Sequence, residues 1–360
     1  MKSDCSSDTA GRGGPLRLGF IPVSDCAPLI VARESGLFEK YELEVELRRE
    51  ATWTHIRDHV VYGMLDAAHA PATLPFLANL ALESDRCACV TGMVLSLQGN
   101  AITVSRELSD LGVRDAATLR DAVYGNWAKR TYTFAVPSFH SPSHIILRQW
   151  LRQGGVVPEV EVRIVSLPPT QMFPTLKLGY IDGYCAGEPW ASLAVAAKVG
   201  IRVAASPDVA PLHPEKVLIV RRDFAEARAN EHERLIAALL EACAFCDRAK
   251  NRALIAEMLS QPCYLNAPAE CIARGLAGLD IFHRRNANDP TDAKAAWIIE
   301  RLYDTMEESV AQPPAARRAP VLKNIFRRDI YQSAKAVMLR QAEMLNREVE
   351  RYHTGSGSAG

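Results

Sequence analysis

The hydrophobic and polar positions of the chain follow the same pattern in its two halves. The segments GMLDAAHA at residues 63–70 and GYIDGYCA at residues 179–186 each place a glycine, an aspartate and a short apolar run in the same order. Glycine is typical of a helix end, and a short uninterrupted apolar run is typical of a buried strand. This repeated helix-to-strand junction predicts two related α/β units.

The first half of the chain alternates strand and helix patterns. Strands are predicted at residues 16–21, 43–47, 66–70, 89–97 and 101–105, and helices at residues 28–35, 54–62 and 74–82. Apolar residues alternate with polar ones at 43–47 but recur at helical spacing at 54–62, which separates the two element types. The chain therefore opens with a βαβ unit.

The second half repeats the alternation and then becomes helical. Strands are predicted at residues 133–136, 160–165, 182–186, 202–204 and 216–220, and helices at residues 144–153, 170–178 and 189–198. From residue 228 onward the pattern is mostly helical, with amphipathic stretches at residues 235–249, 293–305 and 334–349. We expect these late helices to pack against the first lobe.

Together these elements predict an α/β protein of two lobes with a ligand cleft between them and extra C-terminal helices. The first lobe is predicted over residues 15–104 and again, with the C-terminal helices, over residues 207–350. The second lobe is predicted over residues 105–206. Residues 1–14 are expected to be a disordered leader and residues 351–360 a flexible tail. Because such sheets bind small ligands at the carboxyl ends of their strands, the cleft is the expected binding site.

Composition and charge narrow the class of protein. The 360 residues are 48% hydrophobic, and 42 basic residues balance 42 acidic ones. This length and hydrophobic content suit two units that each have a core, and the balanced charge provides no overall field to attract nucleic acid or an anionic membrane. We therefore expect no direct nucleic-acid binding and no membrane insertion.

The N-terminal residues and the cysteines bear on the cellular compartment. The N-terminus lacks the apolar stretch of an export signal, and the nine cysteines are an odd number without paired spacing, which suits a reducing compartment. These features predict a cytoplasmic protein. The sequence contains no GxxxxGK[ST] phosphate loop and no nucleophile beside a base. We therefore expect no catalytic residues, no cofactor and no metal ion.

Several short segments match a known family in order and spacing. They are LGFIP at 18–22, DCAPL at 25–29, REATW at 49–53, LDAAH at 65–69, GEPW at 187–190 and HPEK at 213–216. Together they resemble the nitrate/bicarbonate-binding family of ABC-transporter solute-binding proteins, from about residue 16 to about residue 304. The resemblance implies a type II periplasmic-binding-protein fold, in which two lobes close over an oxyanion.

The resemblance also implies an anion site made of Trp53, Gln98, His144 and Lys216. Trp53 offers a ring wall and an indole N–H, and Gln98 and His144 offer further N–H donors, while Lys216 neutralises the ligand. Taken singly, Trp53 also fits a core position, Gln98 a turn and His144 a helix start. Taken together, they supply one cation and several donors without an acidic residue, which a buried monovalent anion requires.

Lys216 bears on which anion the site binds, and the segment FHSPSH at residues 139–144 bears on which histidine belongs to it. In bicarbonate-binding relatives the place of Lys216 is acidic and works with a metal ion, so the resemblance implies nitrate or nitrite rather than bicarbonate. The segment offers a second histidine, His140, but His144 keeps the spacing of the family to the following helix. Further possible cleft residues are Gly187, Glu188 and Trp190. Glu188 equally fits a carboxylate stabilised by a helix start.

The family and the missing export signal together predict a cytosolic nitrate/nitrite sensor. The cytosolic branch that the resemblance suggests partners with an RNA-binding antitermination regulator and releases it when the anion binds. The first alternative is the solute-binding component of an ABC-type transporter for nitrate or a related small anion. A less favoured alternative is an enzyme similar to thiamine-pyrimidine synthases, which use the same scaffold.

Overall fold

A computed structural model describes residues 14–81, 85–126, 130–277, 281–305 and 324–355. Residues 1–13 of the predicted leader and residues 356–360 of the predicted tail lie outside these ranges. Two β-sheets, each flanked by helices, form two lobes. This confirms the predicted α/β architecture.

The first lobe is built on a mixed sheet. Its strands are β1 Leu16–Phe20, β2 Val45–Arg49, β3 Ala67–Pro71, β4 Cys89–Val90, β5 Val94–Leu97 and β11 Pro214–Arg221. The order is β2-β1-β3-β11-β4, and β5 also pairs with β11. β1 runs parallel to β2 and β3, as a βαβ unit requires. β11 runs antiparallel to β3, with Lys216 opposite Pro71 and Leu218 opposite His69.

Helices cover this sheet and form the largest core cluster. They are α1 Ala27–Glu34, α2 Leu37–Lys40, α3 Trp53–Val61, α4 Leu74–Leu80, α11 Arg222–Ala227, α12 Ala229–Cys246, α13 Arg252–Ser260, α14 Ala269–Leu276, α15 Asp292–Thr305 and α16 Arg328–Gly355. α12 shows why the late helices belong here: Leu235, Leu239 and Cys243 recur on one face and are fully buried. α1 and α16 both pack against α12.

The second lobe is a smaller sheet with its own core. Its strands are β6 Asn100–Ser105, β7 Thr133–Val136, β8 Arg163–Ser166, β9 Gly183–Gly187 and β10 Gly200–Ala205, in the order β10-β6-β9-β7-β8. Its helices are α5 Arg106–Asp110, α6 Ala116–Asn126, α7 Pro142–Gln153, α8 Pro169–Lys177, α9 Trp190–Ala196 and α10 Ser206–Val209. A Cβ at Gly183 would lie 2.6 Å from the ring of Phe134, so the contact of β9 with β7 requires glycine.

The described part of the chain crosses between the lobes after β5 and again before β11. Gln98 and Gly99 adopt φ angles of 55° and 97°, which turn the chain from β5 into β6. The predicted lobe boundary at residue 104 lies at the end of β6. The chain returns through β10 and α10 to β11. Among the described helices, none has both the length and the apolar sequence needed to cross a bilayer.

The two lobes are in direct contact along one side of the cleft. The backbone N–H of Ser24 donates to the carbonyl of Glu188 at 2.6 Å. The indole Nε1–H of Trp190 donates to the carbonyl of Pro22 at 3.2 Å. Because each bond joins a residue after β1 to one after β9, the structure shows the lobes closed.

Candidate functional site

The ammonium of Lys216 lies where the two lobes meet. Its side chain is 4% exposed, and its Nζ lies 2.7 Å from Oδ2 of Asp25 and 2.7 Å from Oε1 of Glu215. It also lies 5.4 Å from the ring centroid of Trp53, at the start of α3. Burial by itself lowers the pKa of Lys216, but the charges of the two carboxylates outweigh burial and raise that pKa. Lys216 is therefore charged at neutral pH.

Asp25 stands in the short 3-10 turn Ser24–Cys26, between the carboxyl end of β1 and α1. Its Oδ1 accepts a hydrogen bond from Nε2 of His69 at 2.9 Å. Burial raises the pKa of Asp25, but Lys216 and His69 outweigh burial and hold that pKa at about 2. Asp25 is therefore a fixed counter-ion of Lys216.

His69 lies on β3 and is fully buried. Its ring centroid is 5.5 Å from that of Trp53. Among the described residues its Nδ1 has no hydrogen-bond partner, so the neutral ring carries its proton on Nε2, toward Asp25. The surroundings of Lys216 and Asp25 thus contain a buried imidazole whose Nδ1 has no partner among the described residues.

Glu215 connects the cation to the second lobe. Its Oε2 accepts a hydrogen bond from Nδ2 of Asn100 at 2.6 Å and lies 3.0 Å from Nε2 of His213. Asn100 begins β6, and its Oδ1 accepts a hydrogen bond from the hydroxyl of Ser143 at 2.9 Å. Ser143 lies in the first turn of α7. A continuous polar network therefore runs from Lys216 to the N-terminus of a helix in the second lobe.

The four residues of the predicted anion site are not all in this network. Trp53 and Lys216 are brought together. Gln98 lies in the crossing turn, where its backbone N–H donates to the carbonyl of His213 at 3.0 Å. The Gln98 side chain is buried.

His144 points elsewhere in this structure. Its Nδ1 contacts the carbonyl of Phe139, and its Nε2 lies 3.2 Å from Oε1 of Glu159. The neighbouring Ser143, and not His144, contacts the network. His140 is half-buried, and its backbone N–H donates to the hydroxyl of Ser138 at 3.3 Å.

The possible cleft residues lie at the lobe contact. A Cβ at Gly187 would lie 3.8 Å from Oδ2 of Asp25, so Gly187 faces the partner of the buried cation. Oε2 of Glu188 accepts a hydrogen bond from the backbone N–H of Ser192 at 3.0 Å, in the first turn of α9. Burial raises the pKa of Glu188 above its usual value. Trp190 holds the lobes together through Pro22, as described above.

The acidic partners of Lys216 are the main difference from expectation. The sequence predicts a cation without a carboxylate nearby, whereas the structure places Asp25 and Glu215 on the ammonium. Burial explains this, because a lone ammonium at 4% exposure would be strongly unfavourable. Asp25 follows a buried strand and Glu215 precedes Lys216, which are the two sequence signals that could have indicated them. In the described part of the chain, no group of three or more His, Cys, Asp or Glu side chains is arranged to hold a metal ion.

Known proteins with similar sequences are named for small-anion binding and import. The chain is 35% identical over 304 residues to the nitrate import ATP-binding protein NrtC of Synechocystis, covering 80% of the chain and 45% of the relative. It is 28% identical over 361 residues to the nitrate/nitrite binding protein NrtA of Nostoc, covering 94% and 81%. It is 31% identical over 277 residues to the bicarbonate-binding protein CmpA of Synechococcus, covering 73% and 60%. The chain spans about half the length of the ATP-binding relatives that it matches.

A solved structure and a family model also match this chain. The structure superposes on the crystal structure of the periplasmic nitrate-binding protein NrtA from Synechocystis with a TM-score of 0.80 and 24% sequence identity, over 90% of this chain and 89% of the other. This confirms the predicted periplasmic-binding-protein fold. The model of the NMT1-like family matches residues 12–260, more than half of the chain. The chain therefore belongs to the NMT1-like family.

Proposed function

We propose that the chain binds a small monovalent oxyanion, nitrate in the first place, in the cleft beside Lys216. The observation that carries the proposal is the buried ammonium at the lobe junction, with the Trp53 ring on one side and Gly187 of the second lobe near its partner Asp25. A buried anion requires a cation and N–H donors, and the amide of the buried Gln98 side chain is proposed as one of these donors. Relatives named for nitrate import and nitrate/nitrite binding support this choice of anion.

Bicarbonate is the second candidate ligand. Asp25 and Glu215 are hydrogen-bond acceptors next to Lys216. Bicarbonate carries a hydroxyl that can donate to a carboxylate, whereas nitrate has no donor. One relative is named a bicarbonate-binding protein. The test of the proposal therefore compares both anions.

Calorimetric titration of the purified chain with nitrate, bicarbonate and chloride tests the proposed function. In the titration, nitrate is expected to bind at one site per chain. In a separate thermal unfolding experiment, it is expected to raise the unfolding temperature as its concentration increases, because it binds the folded state only. Chloride, which offers no planar set of oxygens to the surrounding donors, is expected to bind more weakly. If neither oxyanion binds, the proposal is wrong.

A glycine substitution at the lobe contact locates the site. In Gly187→Ala the new Cβ would lie 3.6 Å from Val23 and 3.8 Å from Asp25, both ordinary contacts, so the fold is expected to hold. The methyl group occupies space beside Asp25, and anion affinity is expected to fall by about tenfold or more. Gly125→Ala on α6 is the matched control, because nothing lies within 4 Å of its new Cβ. Equal affinities in both variants would place the anion elsewhere.

The role of anion binding in the cell is a separate proposal. Relatives named as nitrate import and bicarbonate-binding proteins favour the solute-binding component of an ABC-type transporter, and binding rather than catalysis as the activity. The cytosolic sensor, with its RNA-binding antitermination regulator and cytoplasmic location, stays a prediction from the sequence. Capture from cell extract by the tagged chain separates the two roles. A regulator recovered only without nitrate supports the sensor, and a membrane permease recovered instead supports the transporter.

A further inference from the structure

The buried groups around Lys216 form a network in which carboxylates already face the ammonium. Lys216 contributes one positive charge, and Asp25 and Glu215 contribute one negative charge each. Nδ1 of His213 lies 2.8 Å from the carbonyl oxygen of Ala210, and Nε2 of His213 lies 3.0 Å from Oε2 of Glu215. The positive charge of Lys216 is therefore already balanced before an anion binds.

A monovalent anion at Lys216 would add an uncompensated negative charge to this network. The side chains involved are at most 4% exposed, and an uncompensated charge in such surroundings is strongly unfavourable. A proton that enters with the anion offsets the added charge. His69 has a site for that proton, because its Nε2 donates to Asp25 while its Nδ1 has no partner among the described residues.

We propose that the chain binds its anion together with one proton, which adds to Nδ1 of His69. The inference rests on the proposed anion binding and deepens it, because the bound species becomes the anion plus a proton. An N–H bond forms at Nδ1, water or a buffer acid releases the proton, and no bond of the protein breaks. The positive charge that His69 gains then offsets the negative charge that the anion adds beside Lys216.

The charges that face His69 make its protonation more favourable once an anion is bound. They come from Asp25 in the turn after β1 and from Lys216 and Glu215 on β11, while Trp53 on α3 contributes an uncharged ring. Burial lowers the pKa of His69 and outweighs the opposing effect of Asp25, so the ring is neutral at pH 7 without anion. An anion that neutralises Lys216 offsets one charge that lowers this pKa. Anion binding therefore favours protonation of His69.

Proton uptake is measured directly by titrating the full chain with nitrate at pH 7 in two buffers of different ionisation enthalpy. The dependence of the binding heat on the buffer is expected to correspond to about one proton taken up per nitrate. The apparent Kd is also expected to rise by about tenfold per pH unit between the pKa of His69 in the anion-free protein and its higher pKa in the complex. If nitrate binds without proton uptake, this inference is overturned while the proposed function stands.

Two variants test the assignment to His69. Glutamine in His69→Gln can still donate an N–H toward Asp25 but takes up no proton, so uptake and the pH dependence of the Kd are expected to disappear. His55→Gln, at an imidazole that is 54% exposed on α3, is the control and is expected to keep both. Uptake that persists in His69→Gln would overturn the assignment.

A spectroscopic measurement keeps the test independent of the folding of these variants. In wild-type protein with ¹⁵N-labelled histidine, nitrate is expected to shift the resonances of one buried imidazole from the neutral to the doubly protonated form. Histidine signals that stay unchanged while nitrate saturates the protein would contradict the proposal. Absence of nitrate binding at every pH would overturn both this inference and the proposed function.

Discussion

At the scale of single residues, His232 is a buried imidazole that the fold keeps uncharged. It lies on α12 with its ring 5.9 Å from that of Phe224, and neither ring nitrogen has a hydrogen-bond partner among the described residues. Burial, with a smaller effect from Arg327, lowers the pKa of His232 to about 4. In the unfolded chain the same ring titrates near 6.5. The contribution of neutral His232 to the free energy of unfolding is therefore fully present above that pH, and it is lost as the pH falls from about 6.5 toward 4.

The substitution His232→Leu is expected to remove this pH dependence. Leucine has no proton to gain, so the stability of the variant relative to wild type is expected to increase by about 2 kcal/mol between pH 7 and pH 5. Urea unfolding of both proteins at the two pH values measures the difference. His55→Leu, at an exposed ring, is the control and should show no such change. A difference between His232→Leu and wild type that is the same at both pH values would show that His232 does not titrate as described.

The candidate site shows which residue properties can be predicted from sequence. Matching short segments indicated Trp53 and Lys216, and the fold does bring them together. The position of Asp25 after a buried strand marks it as a candidate, but its pairing with Lys216 depends on β11 returning beside β3 from late in the chain. The orientation of His144 could not be predicted. It depends on Glu159, which adopts a left-handed φ of 62° in the loop after α7 and reaches the ring.

At the scale of elements, continuous apolar runs in the sequence were the reliable signal for buried strands. β3 and β9 are buried along their whole length, and these are the strands of the two matching segments. Such strands carry continuous apolar runs because both faces of the sheet are covered. Which strands pair with one another is harder to predict from sequence, because hydrophobic periodicity describes one strand and not its neighbour. The antiparallel position of β11 between β3 and β4 is an example.

The contact between α7 and α6 gives a prediction at this scale. Gly154 follows α7, and a Cβ there would lie 2.3 Å from the carbonyl oxygen of Ala116 at the start of α6. Gly154→Ala is therefore expected to force the two helices apart and to destabilise the protein by about 1–3 kcal/mol. Chemical denaturation measures this loss, with Gly125→Ala in the open part of α6 as the control. Equal stability of the two variants would mean that the junction adapts without cost.

At the scale of the whole molecule, hydrogen bonds and a buried apolar cluster that includes Val23 and Ala186 join the lobes. The bonds from Ser24 to Glu188 and from Trp190 to Pro22 cross between the lobes, and the Lys216 network reaches Asn100 on β6. A neutral hydrogen bond contributes about 0.5–1.5 kcal/mol, so the loss of one such bond weakens the contact between the lobes by about that amount. A ligand that contacts both lobes favours the closed form by its difference in affinity for the two forms.

The indole of Trp190 bonds directly across the lobe contact and lies in the apolar cluster shared by both lobes, so its substitution tests closure. Trp190→Phe keeps an aromatic ring but loses the N–H bond to Pro22. Without nitrate, the radius of gyration from small-angle X-ray scattering is expected to increase, and saturating nitrate is expected to restore the wild-type value. Because less of the protein is then competent to bind, nitrate affinity is expected to fall by about two- to tenfold. Trp150→Phe, buried within the core of the second lobe alone, is the matched control and should leave the radius unchanged. If Trp190→Phe also leaves both the radius and the affinity unchanged, the indole bond does not hold the lobes together, and closure depends on the other contacts between them.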